Sequence, residues 1–327
     1  MPDTIERTSS RHLVAPEFLE VLEQFPKIDF SAGLEPFRAG FLADAMPPLR
    51  PELEAVRCEE RFVPGPAGAP DVRILHYVPP EMAAGERPAL LNIHGGGYVI
   101  GSPEQNDAAN RARALKLGCP VFATSYRLAP ETPFPGAVED CYAALCWIHD
   151  NAGELGVDPA RIAISGESAG GGHAAALTLH ARKKGGPAIC FQLLDAPMLD
   201  DRTCTTADPH SYSGEFTWTP ELNRFGWQSL LGMEPGGPDV PDEAVPARAG
   251  DLSGLPPAFI IVGALDLFLE EDIEYARRLT RAGVPVELHV VPGAFHGFGL
   301  AAGTPQVTQK NELELRALAR AMGIDGG

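Results

Sequence analysis

The stretch ISGESAGGGHAAAL, from Ile164 to Leu177, decides the fold. It opens as the tail of an apolar strand, passes Ser168 between Gly166 and Gly170, and then becomes alanine-rich and helix-forming. Upstream, RIAISGE (161–167) reads as a buried strand, and SAGGGHAAALTLHARKK reads as the start of a helix. The serine therefore falls at a strand-to-helix turn. In a G-x-S-x-G turn the small neighbours let the chain close without clashes, and the helix amino terminus directs N–H groups at the reacting centre. On the motif alone, a turn serine, a phosphate-cradling serine and a nucleophile all remain open.

The surrounding chain has an alternating pattern. RCEERFVPG and VRILHYV read as two strands around a Pro/Gly turn, an antiparallel pair. Apolar strands follow at 89–94, 120–126, 161–167, 188–194, 258–263 and 286–291, with helical segments near 107–117, 136–151, 169–183, 270–282 and 307–322. Short β-rich runs alternating with longer amphipathic runs predict an α/β protein with a mostly parallel central sheet of about eight strands, flanked by helices on both faces. Residues 1–50 and 198–250 break the rhythm. The first is helix-like with Pro breaks, and the second is aromatic and Pro/Gly-rich, including SYSGEFTWTPELNRFGWQSLLG. Lying outside the sheet, the two are expected to form a lid over it.

NIHGGGYVIGS follows a strand, and its three glycines let the backbone approach an anion closely. A phosphate loop is disfavoured because neither G-K-[ST] nor an acidic residue at ribose spacing follows. A serine nucleophile needs a base, and an acid to orient that base. Five histidines follow Ser168. His173 and His180 lie on the next helix, His210 in the expected lid and His289 inside a strand. Only His296, in VVPGAFHGFG, sits in a loop after a late strand. For the acid, Asp266 follows the strand AFIIVG, and parallel strands bring both loops to the sheet edge that carries Ser168. Glu270, Glu271 and Asp272 are the rivals. They read better as negative charge in the first turn of the next helix.

HGGG, YRLAPE (126–131), GESAGG and the late Asp and His together resemble the α/β-hydrolase fold, and more narrowly the hormone-sensitive-lipase-like esterases of bacterial family IV. The resemblance spans roughly residues 85–300. It implies that Ser168 is the nucleophile, Asp266 the acid and His296 the base. It also implies an oxyanion hole from the N–H groups of Gly96, Gly97 and Ala169, with no metal and no organic cofactor. It further implies a helical cap, here residues 1–50 and 198–248, on a catalytic domain of residues 51–197 and 249–327. Tyr98, Glu167, Phe216 and Trp218 are expected to line the pocket. Three residues depart from the family: Glu167 before the serine, Leu267 in place of proline after the acid, and Asp195 near a position that is often tyrosine. Arg127 and Glu131 are expected to form a structural ion pair, and His94 to orient the glycine loop.

The expected activity is that of a serine carboxylesterase on short- to medium-chain acyl esters. An amidase, lactonase or deacetylase on the same triad is the alternative, and a non-catalytic small-molecule receptor is the rival from another class. A net charge of −18, from 26 basic and 44 acidic residues, disfavours nucleic acid and anionic membrane as partners. A small-molecule ester is the expected partner, and a homodimer stays open. Six cysteines without metal spacing, and no apolar run of signal-peptide length, predict a cytoplasmic protein with reduced thiols.

Overall fold

The computed structural model describes residues 9–25, 27–40, 49–82 and 85–324. One sheet is built from β1 (Arg57–Val63), β2 (Val72–Val78), β3 (Arg87–Ile93), β4 (Val121–Ser125), β5 (Val157–Glu167), β6 (Phe191–Asp195), β7 (Ala258–Gly263) and β8 (Val286–Val291). Their spatial order is β1-β2-β4-β3-β5-β6-β7-β8. β2 is antiparallel to β1 and to β4, and the other neighbouring pairs are parallel. All eight expected strands are present.

Helices α1 (Leu19–Gln24), α2 (Glu35–Gly40) and α3 (Pro51–Glu54) precede the sheet. Along the rest of the chain come α4 (Asp107–Leu117), α5 (Gly136–Asp150), α6 (Ala152–Leu155), α7 (Ala169–Lys184), α8 (Pro220–Leu231), α9 (Leu269–Arg281) and α10 (Pro305–Ala321). The strands sort these helices onto two faces through their period of two. Ile162, Ile164, Ala258 and Ile260 point to a core shared with α5, α7 and α9, whereas Ala163, Phe259 and Ile261 point to a core shared with α4 and α10. Fully burying each such Ile, Leu or Phe contributes about 1.5–3 kcal/mol relative to exposure, so reversing a strand's register would lose both faces at once.

Two smaller apolar clusters lie outside the sheet core. One joins Phe30, and with it Ile28, Leu34 and Phe37, to Trp218, Trp227 and Leu230, and through Tyr98 and Ala169 to the glycine loop and the start of α7. The other joins Val14 and Phe18 to Leu265, Phe295, Phe298 and Val307 around the His296 loop, with Phe216 packed against it. The amino-terminal segment and the 198–248 segment thus pack together and against the loops at the carboxyl ends of the strands. Of the expected lid, residues 1–8, 26 and 41–48 lie outside the described residues, as do 83–84 and 325–327 of the expected catalytic domain.

The pairing expected between Arg127 and Glu131 is corrected. Arg127 grips Asp140 of α5 through both carboxylate oxygens, its Nη2 lying 2.8 Å from Oδ1. Glu131 instead receives Arg38 from α2, which also donates to the carbonyls of Val99 and Ala129. Four residues of separation suggested a local pair, but a nearly fully buried Asp140 is the stronger claimant on Arg127.

Candidate active site

Ser168 follows the end of β5 and caps α7 with φ 54° and ψ −123°, a conformation a non-glycine residue adopts only when its surroundings enforce it. The glycines enforce it. A Cβ on Gly166 would lie 2.2 Å from the Gly170 carbonyl oxygen, and one on Gly170 would lie 2.1 Å from that of Ile93. Only hydrogen fits at either site. The Ser168 N–H donates to the Asp195 carbonyl at 2.8 Å, and its own carbonyl accepts from Met198 N–H at 2.9 Å. The hydroxyl is therefore held out at the sheet edge.

His296 arrives on the loop after β8. That loop is tied to the acid's loop by Leu265 N–H donating to the Ala294 carbonyl at 2.8 Å. Its Nε2 lies 2.9 Å from Ser168 Oγ, and its Nδ1 lies 2.8 Å from Asp266 Oδ2. Asp266 is wholly buried, and its other oxygen, Oδ1, accepts from Phe268 N–H at 3.0 Å. One carboxylate oxygen is thus fixed by backbone while the other faces the imidazole. Burial disfavours the imidazolium, but the Asp266 charge and hydrogen bond, helped by Asp195 and Glu167, outweigh it. His296 therefore holds its proton above the ordinary histidine range. The other two buried histidines near the site go the opposite way. Burial pushes His94 down to about 4 and His173 down to about 3, so both are neutral.

The glycine loop after β3 lies against the serine: a Cβ on Gly95 would stand 3.4 Å from that of Ser168. The loop is turned by Val99 and Ile100 N–H groups, both donating to the Gly96 carbonyl. His94 stacks on Tyr126 at 4.2 Å and contacts the Gly95 carbonyl through Nδ1, as expected of a loop-orienting residue. Ala169 opens α7, where N–H groups lack intrahelical partners. Trp218 covers the loop so closely that a Cβ on Gly97 would meet its indole at 2.1 Å, and its ring centre lies 6.3 Å from that of His296.

The structure thus brings Ser168, Asp266, His296, Gly96, Gly97, Ala169 and Trp218 together, with Glu167 beside the serine. Tyr98 is placed differently. Its ring is buried against Trp227 and His173, and its hydroxyl donates to the Met198 carbonyl, which is a packing role. Phe216 packs edge-on against Phe295. The three rival acids stand apart from the imidazole's hydrogen bonds. Glu271 accepts from Leu199 N–H, Asp200 N–H and the Thr203 hydroxyl, and Asp272 is buried with its carboxyl pushed well up by burial. Two arrangements lacked any local sequence signal. One is a buried amide relay in which Asn106 and Asn110 donate to Asn92, and Asn92 donates to Ser165. The other is the ion pair Asp195–Lys310. A polar cleft of about 390 Å³ lined by Arg202, Arg248 and Arg278 includes no triad residue, and those arginines are already taken by Asp200, by Asp201 and by backbone carbonyls.

Residues 90–300 match the family model described as alpha/beta hydrolase fold. The chain belongs to the α/β-hydrolase family, in its hormone-sensitive-lipase-like branch. Among α/β-hydrolase relatives, carboxylesterase NlhH of Mycobacterium tuberculosis is 38% identical, over 97% of this chain and 99% of its own. Esterase LipI of the same organism is 34% identical over 97% and 98%. Among solved α/β-hydrolase structures, a bacterial heroin esterase superposes with a TM-score of 0.88 at 41% identity, covering 96% of this chain and 99% of that one.

Proposed function

We infer that this protein is a serine carboxylesterase acting on short- to medium-chain acyl esters. The observation that carries the reading is the hydrogen-bonded series Ser168 Oγ, His296 Nε2, His296 Nδ1 and Asp266 Oδ2 at a strained turn. Near-full-length similarity to proteins named esterase and carboxylesterase supports the ester chemistry. In the mechanism, Ser168 Oγ attacks the ester carbonyl carbon while His296 Nε2 takes its proton. Asp266 holds Nδ1–H and stabilises the imidazolium. The carbonyl oxygen, now an oxyanion, is held by the N–H groups of Gly96, Gly97 and Ala169. Collapse expels the alcohol, which leaves with the proton from His296. Water, deprotonated by the same imidazole, then releases the acid from Ser168.

An amidase, lactonase or deacetylase would use the same groups. A non-catalytic receptor would not need an imidazole between the serine and the acid, so His296 in hydrogen-bond reach of both favours the enzyme. A fluorophosphonate probe tests this directly. One equivalent should attach to Ser168, and a protein left unlabelled while folded would overturn the reading.

We assign residues 1–50 and 198–248 to the cap, and residues 51–197 and 249–327 to the catalytic domain. The reading rests on the aromatic clusters that join the two cap segments above the triad. Trp218 over Gly97 closes one side of the space beside Ser168. Such a pocket has finite depth. Each buried CH₂ contributes roughly 0.8 kcal/mol, so kcat/KM should rise with acyl length and then stop. The expected optimum lies within about two to eight carbons, on the order of a few such increments. Rates on p-nitrophenyl esters of increasing length check this, and a steady climb through palmitate would contradict it. All six cysteines are free thiols, which supports a reducing, cytoplasmic setting. Among the described residues, no helix is long and apolar enough to cross a membrane.

A further inference from the structure

Asp195 ends β6 beside Ser168. Its carbonyl accepts the Ser168 N–H at 2.8 Å. The chain then turns at Ala196, with φ 42° and its N–H on the Ile261 carbonyl at 2.7 Å, and Met198 N–H returns to the Ser168 carbonyl. Residues 195–198 therefore hold the Ser168 peptide from both sides. The backbone of residue 195 is held in the sheet between β5 and β7, and its side chain ties it to α10. Asp195 Oδ2 lies 2.7 Å from Lys310 Nζ, and Lys310 lies 2.7 Å from Glu314 Oε1. Glu314 Oε2 in turn lies 3.0 Å from Arg113 Nη2. The four side chains are 14%, 8%, 3% and 14% exposed, a buried row of alternating charge with no net excess.

A buried ion pair is poor evidence for stability, because apolar residues of similar volume often stabilise as well or better. Its position is the informative feature. Lys310 belongs to α10, the element that follows the His296 loop, while Asp195 belongs to the strand beneath Ser168. We propose that Asp195 and Lys310 form a positioning pair, which braces the Ser168 turn against α10 and places a carboxylate where it favours the charged form of His296. The inference rests on the esterase reading of the same site.

The charged groups around these two residues fix the sign. His296 feels Asp266, Asp195 and Glu167, all of which favour its proton against the cost of burial. Asp195 feels Lys310, Glu314, Glu167 and Asp272. Burial pushes the Asp195 carboxyl up and Lys310 draws it back, leaving it at about 6, so it is largely ionised at neutral pH. Ionised Asp195 stabilises the imidazolium that forms as Ser168 attacks, and it raises the pH at which free His296 becomes a base.

The test is the pH profile of kcat/KM for p-nitrophenyl acetate, with thermal melting run on every variant. In the wild type the ascending limb should be centred above about pH 6.5, the ordinary histidine value. Asp195→Asn should move that limb down by about half a unit or more and lower the plateau kcat roughly threefold to tenfold, with KM little changed. Lys310→Met should move the limb in the same direction, because an unpaired Asp195 beside Glu314 takes up a proton. The double variant Asp195→Asn/Lys310→Met buries no unmatched charge, since Glu314 keeps Arg113, and it repeats the test if a single variant does not fold. A purely structural pair would lower the melting temperature and leave the limb in place. That result in the double variant would overturn the proposal. Failure of the esterase reading looks different: the wild type itself would resist fluorophosphonate, and Ser168→Ala would keep its activity.

Discussion

Ser168→Ala should lower kcat on p-nitrophenyl acetate by on the order of 10⁴-fold or more while the protein keeps its melting temperature within a few degrees. The substitution removes one atom, hydrogen-bonded to His296 Nε2, and leaves the strained turn to the glycines, which are unchanged. His296→Ala should lose a similar amount. The double variant should be no worse than either single one, because nucleophile and base act as a unit and the residual rate comes from the backbone donors. Steady-state kinetics with fluorophosphonate labelling of each variant would check this. A Ser168→Ala protein with more than about one percent of wild-type activity would point to another nucleophile.

Asp266→Asn should cost on the order of 10³- to 10⁴-fold in kcat, and the reason lies in the two oxygens of Asp266. Oδ1 is committed to Phe268 N–H, so an amide there must keep its oxygen on that side and turn its NH₂ toward His296. Nδ1 then has to accept, the ring proton moves to Nε2, and the base can no longer take the Ser168 proton. The variant should be folded and slow, and a strong external base should recover part of the rate at high pH. Asp272→Asn serves as the contrast. Burial pushes its carboxyl well up, and it takes no part in the imidazole's hydrogen bonds, so an isosteric amide should leave activity within a few-fold of wild type. Near-normal rates from Asp266→Asn together with a dead Asp272→Asn would reverse the assignment of the acid.

The residues that could be read from sequence are those whose role is local or periodic. The central strands β3, β4, β6 and β7 are legible because burial on two faces leaves an unbroken apolar signal, whereas the edge strands β1 and β8 are only partly buried and show it weakly. β5 starts at Val157, earlier than its apolar run, because Asp158 and Pro159 hide its first turn of the ladder. α8 was not anticipated. Thr219 caps it and Pro220 opens it, but Gly226 in its middle looks like a break. The structure explains that glycine, since a Cβ there would come within 2.6 Å of the Gly97 carbonyl oxygen. Ser168, Asp266 and His296 each follow a strand end, and the structure brings the three within hydrogen-bond reach. Lys310 was not legible, since it stands 115 positions beyond Asp195 and looks like any lysine on an amphipathic helix. Arg127 likewise finds its partner in Asp140, thirteen positions on, and not in nearby Glu131, proximity along the chain being a weak guide to proximity in space.

The close fit around the Ser168 turn also limits how this enzyme can change over generations. Gly166, Gly170 and Gly172 each face a backbone carbonyl at 2.1–2.3 Å from where a side chain would begin, so even the smallest addition there displaces main chain. Variation at those sites is closed. Thr217, Trp218 and their neighbours meet the same reacting space through side chains alone, on a segment that no sheet hydrogen bond constrains. New substrate preferences should therefore arise by drift in residues 213–231 other than Gly226, and in the amino-terminal segment packed on them, with the Ser168 turn passed on unaltered. A combinatorial library aimed at those covering residues would explore specificity while leaving the chemistry intact.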